Sequence, residues 1–166
     1  MGSKQLSTYL NNHLAASVAV LDLLSHLETA YADTEVADFL RSLRADIHAD
    51  RTQLEAAMAQ LEISQNSIRQ TVAWFVEKIN QLQLKWDDGD GALHLLEALE
   101  IVASGIAGKR ALGHSLVVVA QQTPHLQPMD FERLVQRSEE QLQRLEPVRL
   151  RVAKDALTTK DEVKSI

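Results

Sequence analysis

The chain of 166 residues contains no cysteine, which excludes disulfides, thiolate metal sites and cysteine nucleophiles together and fits a reducing compartment. Aromatic residues make up only 4% of it, although 45% is hydrophobic. A core therefore has to be built from Leu, Val, Ile and Ala, a mixture that favours helices over sheets. Three prolines and six glycines are too few to punctuate a series of short strands. Pro124, Pro128, Gly89 and Gly91 gather instead in two short segments, and an all-β reading fails. An excess of basic residues is missing too. The net charge is -6 and the pI about 5.5, so nucleic-acid binding is not expected. The opening MGSKQLSTYL has no apolar signal core, and no apolar run approaches the ~18 to 20 residues that span a bilayer. The expected location is the cytoplasm, with no membrane contact. Leu6 stands where a myristoylation start requires Ser or Thr, which sets that modification aside.

What is present is helical periodicity. Leu6, Leu10, Leu14, Val18, Leu21 and Leu24 recur at spacings of three and four, predicting a helix over about 4–31. A second is predicted over 35–61 from Val36, Phe39, Leu40, Leu43, Ile47, Leu54, Met58 and Leu61, with Asp33 or Thr34 as its N-cap. Ser67 and Gln70 read as a capping box opening a shorter helix over 67–85, which the turn Asp87-Asp88-Gly89-Asp90-Gly91 ends. A long helix is predicted over 92–120, where Gly105, Gly108 and Gly113 imply close packing. The last, over 131–158, is capped by Asp130 and kinked at Pro147, with a tail at 159–166. Residues 1–166 form one domain.

Four of these helices would each span ~40 Å and the third ~28 Å. The third then reads as a crossover. Two antiparallel hairpins joined by a crossover containing a fifth, shorter helix is the ferritin-like variant of the four-helix bundle, an all-α fold in which the second helix and the one over 92–120 run parallel.

The segments YLNNHLAAS (Tyr9 to Ser17), LRADIHADR (Leu43 to Arg51), AWFVEKINQLQL (Ala73 to Leu84) and EALEIVASGIAGKRAL (Glu97 to Leu112) resemble a bacterial family of uncharacterised ferritin-like helical proteins. The resemblance implies the fold and no assigned activity.

A fold of this kind invites a di-iron centre, which needs Glu-x-x-His pairs because i and i+3 share a helix face. No glutamate in the chain has a histidine three residues on, so no metal and no cofactor are expected. Glu97 and Glu100 fall off the apolar stripe and read as a solvated face. The six histidines include no H-x-x-x-H pair; most read as surface residues, His26 and His48 among them. His13 borders the first apolar stripe as a structural histidine. The acidic turn 87–91 lacks the ligand alternation of a calcium loop, and Gly105 to Arg110 follows no strand and cannot cradle phosphate. No catalytic residue emerges.

One constellation stands out. Asp50 falls between Ile47 and Leu54 on the second stripe, and Lys109 falls beside Ile106 on the stripe of the 92–120 helix. With those helices parallel, Asp50 lies ~24 Å from Thr34 and Lys109 ~25 Å from Ala92, nearly one level. His13, Ser17, Ser138 and Gln141 fall within about a turn of it. The expectation is a buried polar layer in which the ammonium neutralises the carboxylate. It serves either as a register lock or as a small-ligand or proton-handling site. Outward apolar residues (Leu23, Leu93, Leu96, Trp86) suggest a surface for a second copy or another protein. The function read from the sequence is that of a non-enzymatic bundle that binds a partner or itself. The alternatives are a degenerate metal-binding relative and a small-ligand binder using the polar layer.

Overall fold

The computed structural model describes residues 4–65, 72, 73, 76, 77 and 91–158. Among them are four α-helices and no strand: α1 (Lys4–Ala30), α2 (Ala37–Gln60), α3 (Gly91–Ala120) and α4 (Phe131–Leu157), with a 3-10 turn at Pro124–Leu126. The predicted crossover helix over 67–85 falls almost wholly outside the described residues, as do Trp86, the 87–90 turn and the 159–166 tail.

The ends follow local chemistry. Asp130 caps α4 as expected, its Oδ1 accepting from the Arg133 amide at 2.8 Å. The expected Asp33 or Thr34 cap of α2 is not formed: Val36 holds that position without a side-chain bond. Successive i to i−3 bonds, Thr34 to Tyr31 and Ala37 to Thr34, carry the chain round the corner, while Thr34 Oγ1 donates back to the Tyr31 carbonyl at 2.7 Å. The α2 C-terminus closes as a Schellman motif, with Ile63 bonded to Met58 and Glu62 to Ala59. This places Glu62 in the left-handed region at φ 55. Helix α4 continues through Pro147.

Two apolar clusters fix the directions of the helices. One gathers Leu24 and Leu27 of α1, Leu40 and Leu43 of α2, Leu95 and Leu99 of α3, and Leu145 and Val152 of α4. The other gathers Leu10 and Leu14, Leu54 and Met58, Leu112 and Leu116, and Phe131 of the same four helices. Helix α1 is thus antiparallel to α2 and α3, α4 is antiparallel to α3, and α2 and α3 run parallel. The Tyr31 hydroxyl donates to the Gly91 carbonyl at 2.6 Å, tying the start of α3 to the end of α1. Residues 61 and 91 therefore lie at opposite ends of a bundle whose α2 alone measures ~36 Å.

Several expectations are revised. Leu23 and Leu96 are buried, at 1% and 5% exposure, rather than outward; the bundle interior is wider than a single heptad stripe. His94 is buried as well, not a surface residue. Gly105 and Gly113 do mark close approach, since a Cβ would come within 2.8 Å of Val20 and of Val135 respectively, but Gly108 has open space beside it. Helix α3, with a mean hydropathy of 1.3, is long and apolar enough to cross a membrane by length and composition, contrary to the expectation of no such run. Here ten of its residues are buried in the bundle.

Candidate functional site

Helices α2, α3 and α4 each break their apolar stripe at one level, between the two clusters. On α2 the break is Asp50, between Ile47 and Leu54; on α3 it is Lys109, between Ile106 and Leu112; on α4 it is Ser138 and Gln141. Asp50, Ser138 and Gln141 are buried. A layer that splits a core in two at a single height is a feature of the tertiary structure.

Lys109 Nζ donates to Asp50 Oδ2 and to Gln141 Oε1, and Gln141 Nε2 donates to the same Asp50 oxygen at 2.8 Å. The three side chains close a ring across α2, α3 and α4. Arg137, one turn before Gln141, stands 3.0 Å from the other carboxylate oxygen, Oδ1. Its hydrogen bond goes to the Asp46 carbonyl at 3.3 Å. Burial pushes the Lys109 ammonium below its ordinary pKa, and the Asp50 charge opposes that shift. A carboxylate with 1% of its side chain exposed has to be compensated in this way, because an isolated buried charge is too poorly solvated to persist.

Of the six residues singled out from the sequence, the structure brings Asp50, Lys109 and Gln141 into contact. Ser138 is at the right level but donates to its own helix, at Leu134 O, 2.8 Å away. Ser17 does the same at Leu14 O, 2.6 Å. His13 stacks edge-on against Tyr9, ring centroids 4.7 Å apart, and burial lowers its pKa. Neither His13 nor Ser17 bonds to the ion pair, yet both line a cavity of about 50 Å³ that Asp50 and Lys109 also border.

Sequence reasoning missed Arg137 and, with it, a wider seam. The backbones of α2 and α4 barely approach each other, and long polar side chains bridge the gap. Arg144 binds Asp46 Oδ2 at 2.7 Å and the Ser42 hydroxyl at 3.2 Å, and Arg151 reaches Glu35 at 3.4 Å. The signal was present as Arg137, Arg144 and Arg151 at seven-residue spacing on α4, opposite Glu35 in the turn before α2 and Ser42, Asp46 and Asp50 on α2. An apolar-stripe reading treats such positions as solvated.

Among the described residues no group of three or more His, Asp or Glu side chains converges in a way that could hold a metal ion. The layer offers a charge-compensated carboxylate whose Oδ1 accepts no hydrogen bond from the described residues, a lysine with lowered proton affinity and a small, mainly apolar cavity. No family model, curated protein or solved structure matches the chain.

Proposed function

We propose that this protein is a non-enzymatic, ferritin-like helical bundle that acts by binding, through its outer surface, another protein or a second copy of itself. The observation that carries the reading is the state of the central carboxylate. Asp50 is engaged by Lys109, Gln141 and Arg137 of its own chain, at the level where a metal-bearing relative of this fold would collect carboxylate ligands. The parallel course of α2 and α3 supports the ferritin-like assignment. The layer acts as a register lock: sliding any helix by one turn would strand a buried charge, which is the best-attested use of buried polar groups.

With the interior committed to holding the bundle together, function falls to the exterior. Leu150 and Leu157, two turns apart on α4, are 53% and 66% exposed, and Val118 of α3 is 61% exposed. Leu150 and Leu157, on one face of α4, are the positions at which this reading places the contact. The acidic net charge and absence of cysteine agree with a cytoplasmic protein that avoids nucleic acid.

Sedimentation equilibrium, with elemental analysis of protein purified without chelator, tests the reading. Concentration-dependent association that weakens in Leu150→Glu/Leu157→Glu is expected for the self-associating form. Iron, manganese or zinc at one or more equivalents per chain would overturn it in favour of a degenerate metal site.

A further inference from the structure

Three side chains of the polar layer meet through a single carboxylate oxygen. Asp50 Oδ2 accepts from Lys109 Nζ and from Gln141 Nε2, and Lys109 Nζ also donates to Gln141 Oε1. An amine therefore touches an amide carbonyl, while one carboxylate holds both the amine and the amide nitrogen. Arg137 stands at the other carboxylate oxygen, Oδ1, so Oδ2 is the atom the two partners share. Asp50 and Gln141 are each 2% exposed. With water kept out and the groups held in contact, a reaction between them is a step inside one molecule rather than a collision. Burial pushes the Lys109 ammonium below its ordinary pKa, against the pull of the Asp50 charge, which makes release of a proton to Oδ2 easier than in water. A desolvated free amine is a nucleophile.

We propose that Lys109 and Gln141 form an isopeptide bond in the folded chain, with Asp50 as the base that carries the protons. Oδ2 takes one proton from the ammonium. The free Nζ attacks Gln141 Cδ, and the C=O electron pair moves onto Oε1. When the carbonyl forms again, the Cδ–Nε2 bond breaks and ammonia leaves with the proton that Oδ2 supplies. The second proton lost by Nζ follows the same route and departs with the ammonia as an ammonium ion. An ammonium and a primary amide thus become a secondary amide and an ammonium ion, Asp50 ends as a carboxylate, and no oxidant or cofactor is needed. Asp50 itself is the poorer target, because an ionised carboxylate repels the lone pair and has no neutral group to lose. Ammonia is about the size of water, which needs only about 10–15 Å³ of space, and the cavity of about 50 Å³ that Lys109 and Asp50 border has room for it. The product ties α3 to α4 covalently at the level where the ion pair sets the register.

The bond rests on the register lock proposed above and is independent of the outer surface. Equal denaturation midpoints for a buried and an exposed Asp→Ala variant would strike the lock, whereas an unchanged mass strikes the bond alone. The test is intact-mass spectrometry of the full chain, kept folded at physiological temperature and sampled over weeks. A fall by the mass of one ammonia is expected. Trypsin should then release residues 86–110 joined to residues 138–144, because an acylated Lys109 is no longer cleaved. Lys109→Arg and Gln141→Leu, each shown folded by circular dichroism, should keep the mass of their sequences, and Asp50→Ala should slow the loss roughly a hundredfold. Wild-type chain held in guanidinium chloride, a control that needs no variant to fold, should keep its mass as well. An unchanged mass in folded wild-type protein would overturn the proposal. So would loss of one water, which marks an Asp50–Lys109 amide, or loss of ammonia that persists in Lys109→Arg.

Discussion

Removing the Asp50 carboxylate is the sharpest perturbation of the polar layer. Asp50→Ala deletes a side chain that is 1% exposed and leaves Lys109 with Gln141 as its one direct hydrogen-bond partner in the layer. Breaking a buried pair by removing one partner costs about 3–5 kcal/mol. The lower end applies here. The Lys109 side chain is 14% exposed, and its four-carbon stem lets the ammonium move toward water. A loss of about 3 kcal/mol corresponds to a fall of about 6–12 °C in Tm for a domain of this size. The control is Asp33→Ala, an exposed carboxylate in the α1–α2 turn, which should change stability by no more than about 0.5 kcal/mol. Urea denaturation followed by circular dichroism at pH 7 measures both. The double variant Asp50→Leu/Lys109→Met removes the stranded charge and should recover a large part of the loss, because the coupled pair is deleted as a unit. Equal midpoints for Asp50→Ala and Asp33→Ala would refute the register-lock argument.

Four further outcomes are expected. Gly105→Ala places a methyl 2.8 Å from Val20 Cγ2 and should destabilise by about 1–2 kcal/mol, whereas Gly108→Ala, with nothing within 4 Å, should stabilise by about 0.5–1 kcal/mol through helix propensity; thermal melts of the pair should move in opposite directions. The half-buried His13 has a pKa below its unfolded value of 6.5, so below that pH the unfolded chain binds the proton more readily. Its contribution to stability is complete above pH 6.5 and is lost as pH falls through the folded value; His13→Gln should show a shallower drop in urea midpoint between pH 7 and pH 5, and an unchanged slope would rule this out. Asp130→Ala removes the cap on the Arg133 amide and should cost about 1 kcal/mol, read from guanidinium unfolding. Glu62→Gly relieves the left-handed backbone at φ 55 and should raise Tm by about 2–4 °C, from about 1 kcal/mol of strain.

The helices were legible because apolar residues at spacings of three and four record which side of a helix meets the core, and the observed ends fall within two residues of those read from the pattern. Caps were legible only where one side chain decides them. Asp130 does, while the α2 start is set by consecutive backbone turns that no residue type announces. The Asp50–Lys109 level could be counted from helix rise once α2 and α3 were taken as parallel. Its partners could not all be found that way. Gln141 reaches the pair because α4 packs on α3, while Ser138 and Ser17 at the same level turn their hydroxyls back onto their own helices.

The sequence by itself determined the all-helical class, the helix lengths, and which residues interrupt the apolar stripes, since these depend only on periodicity within one segment. The tertiary structure decided which interruptions meet. It set the distance between α2 and α4, left that seam to be bridged by Arg137, Arg144 and Arg151, and buried Leu23, Leu96 and His94. Those outcomes depend on how closely two helices approach, a quantity fixed by packing across the chain and written in no single stretch of it.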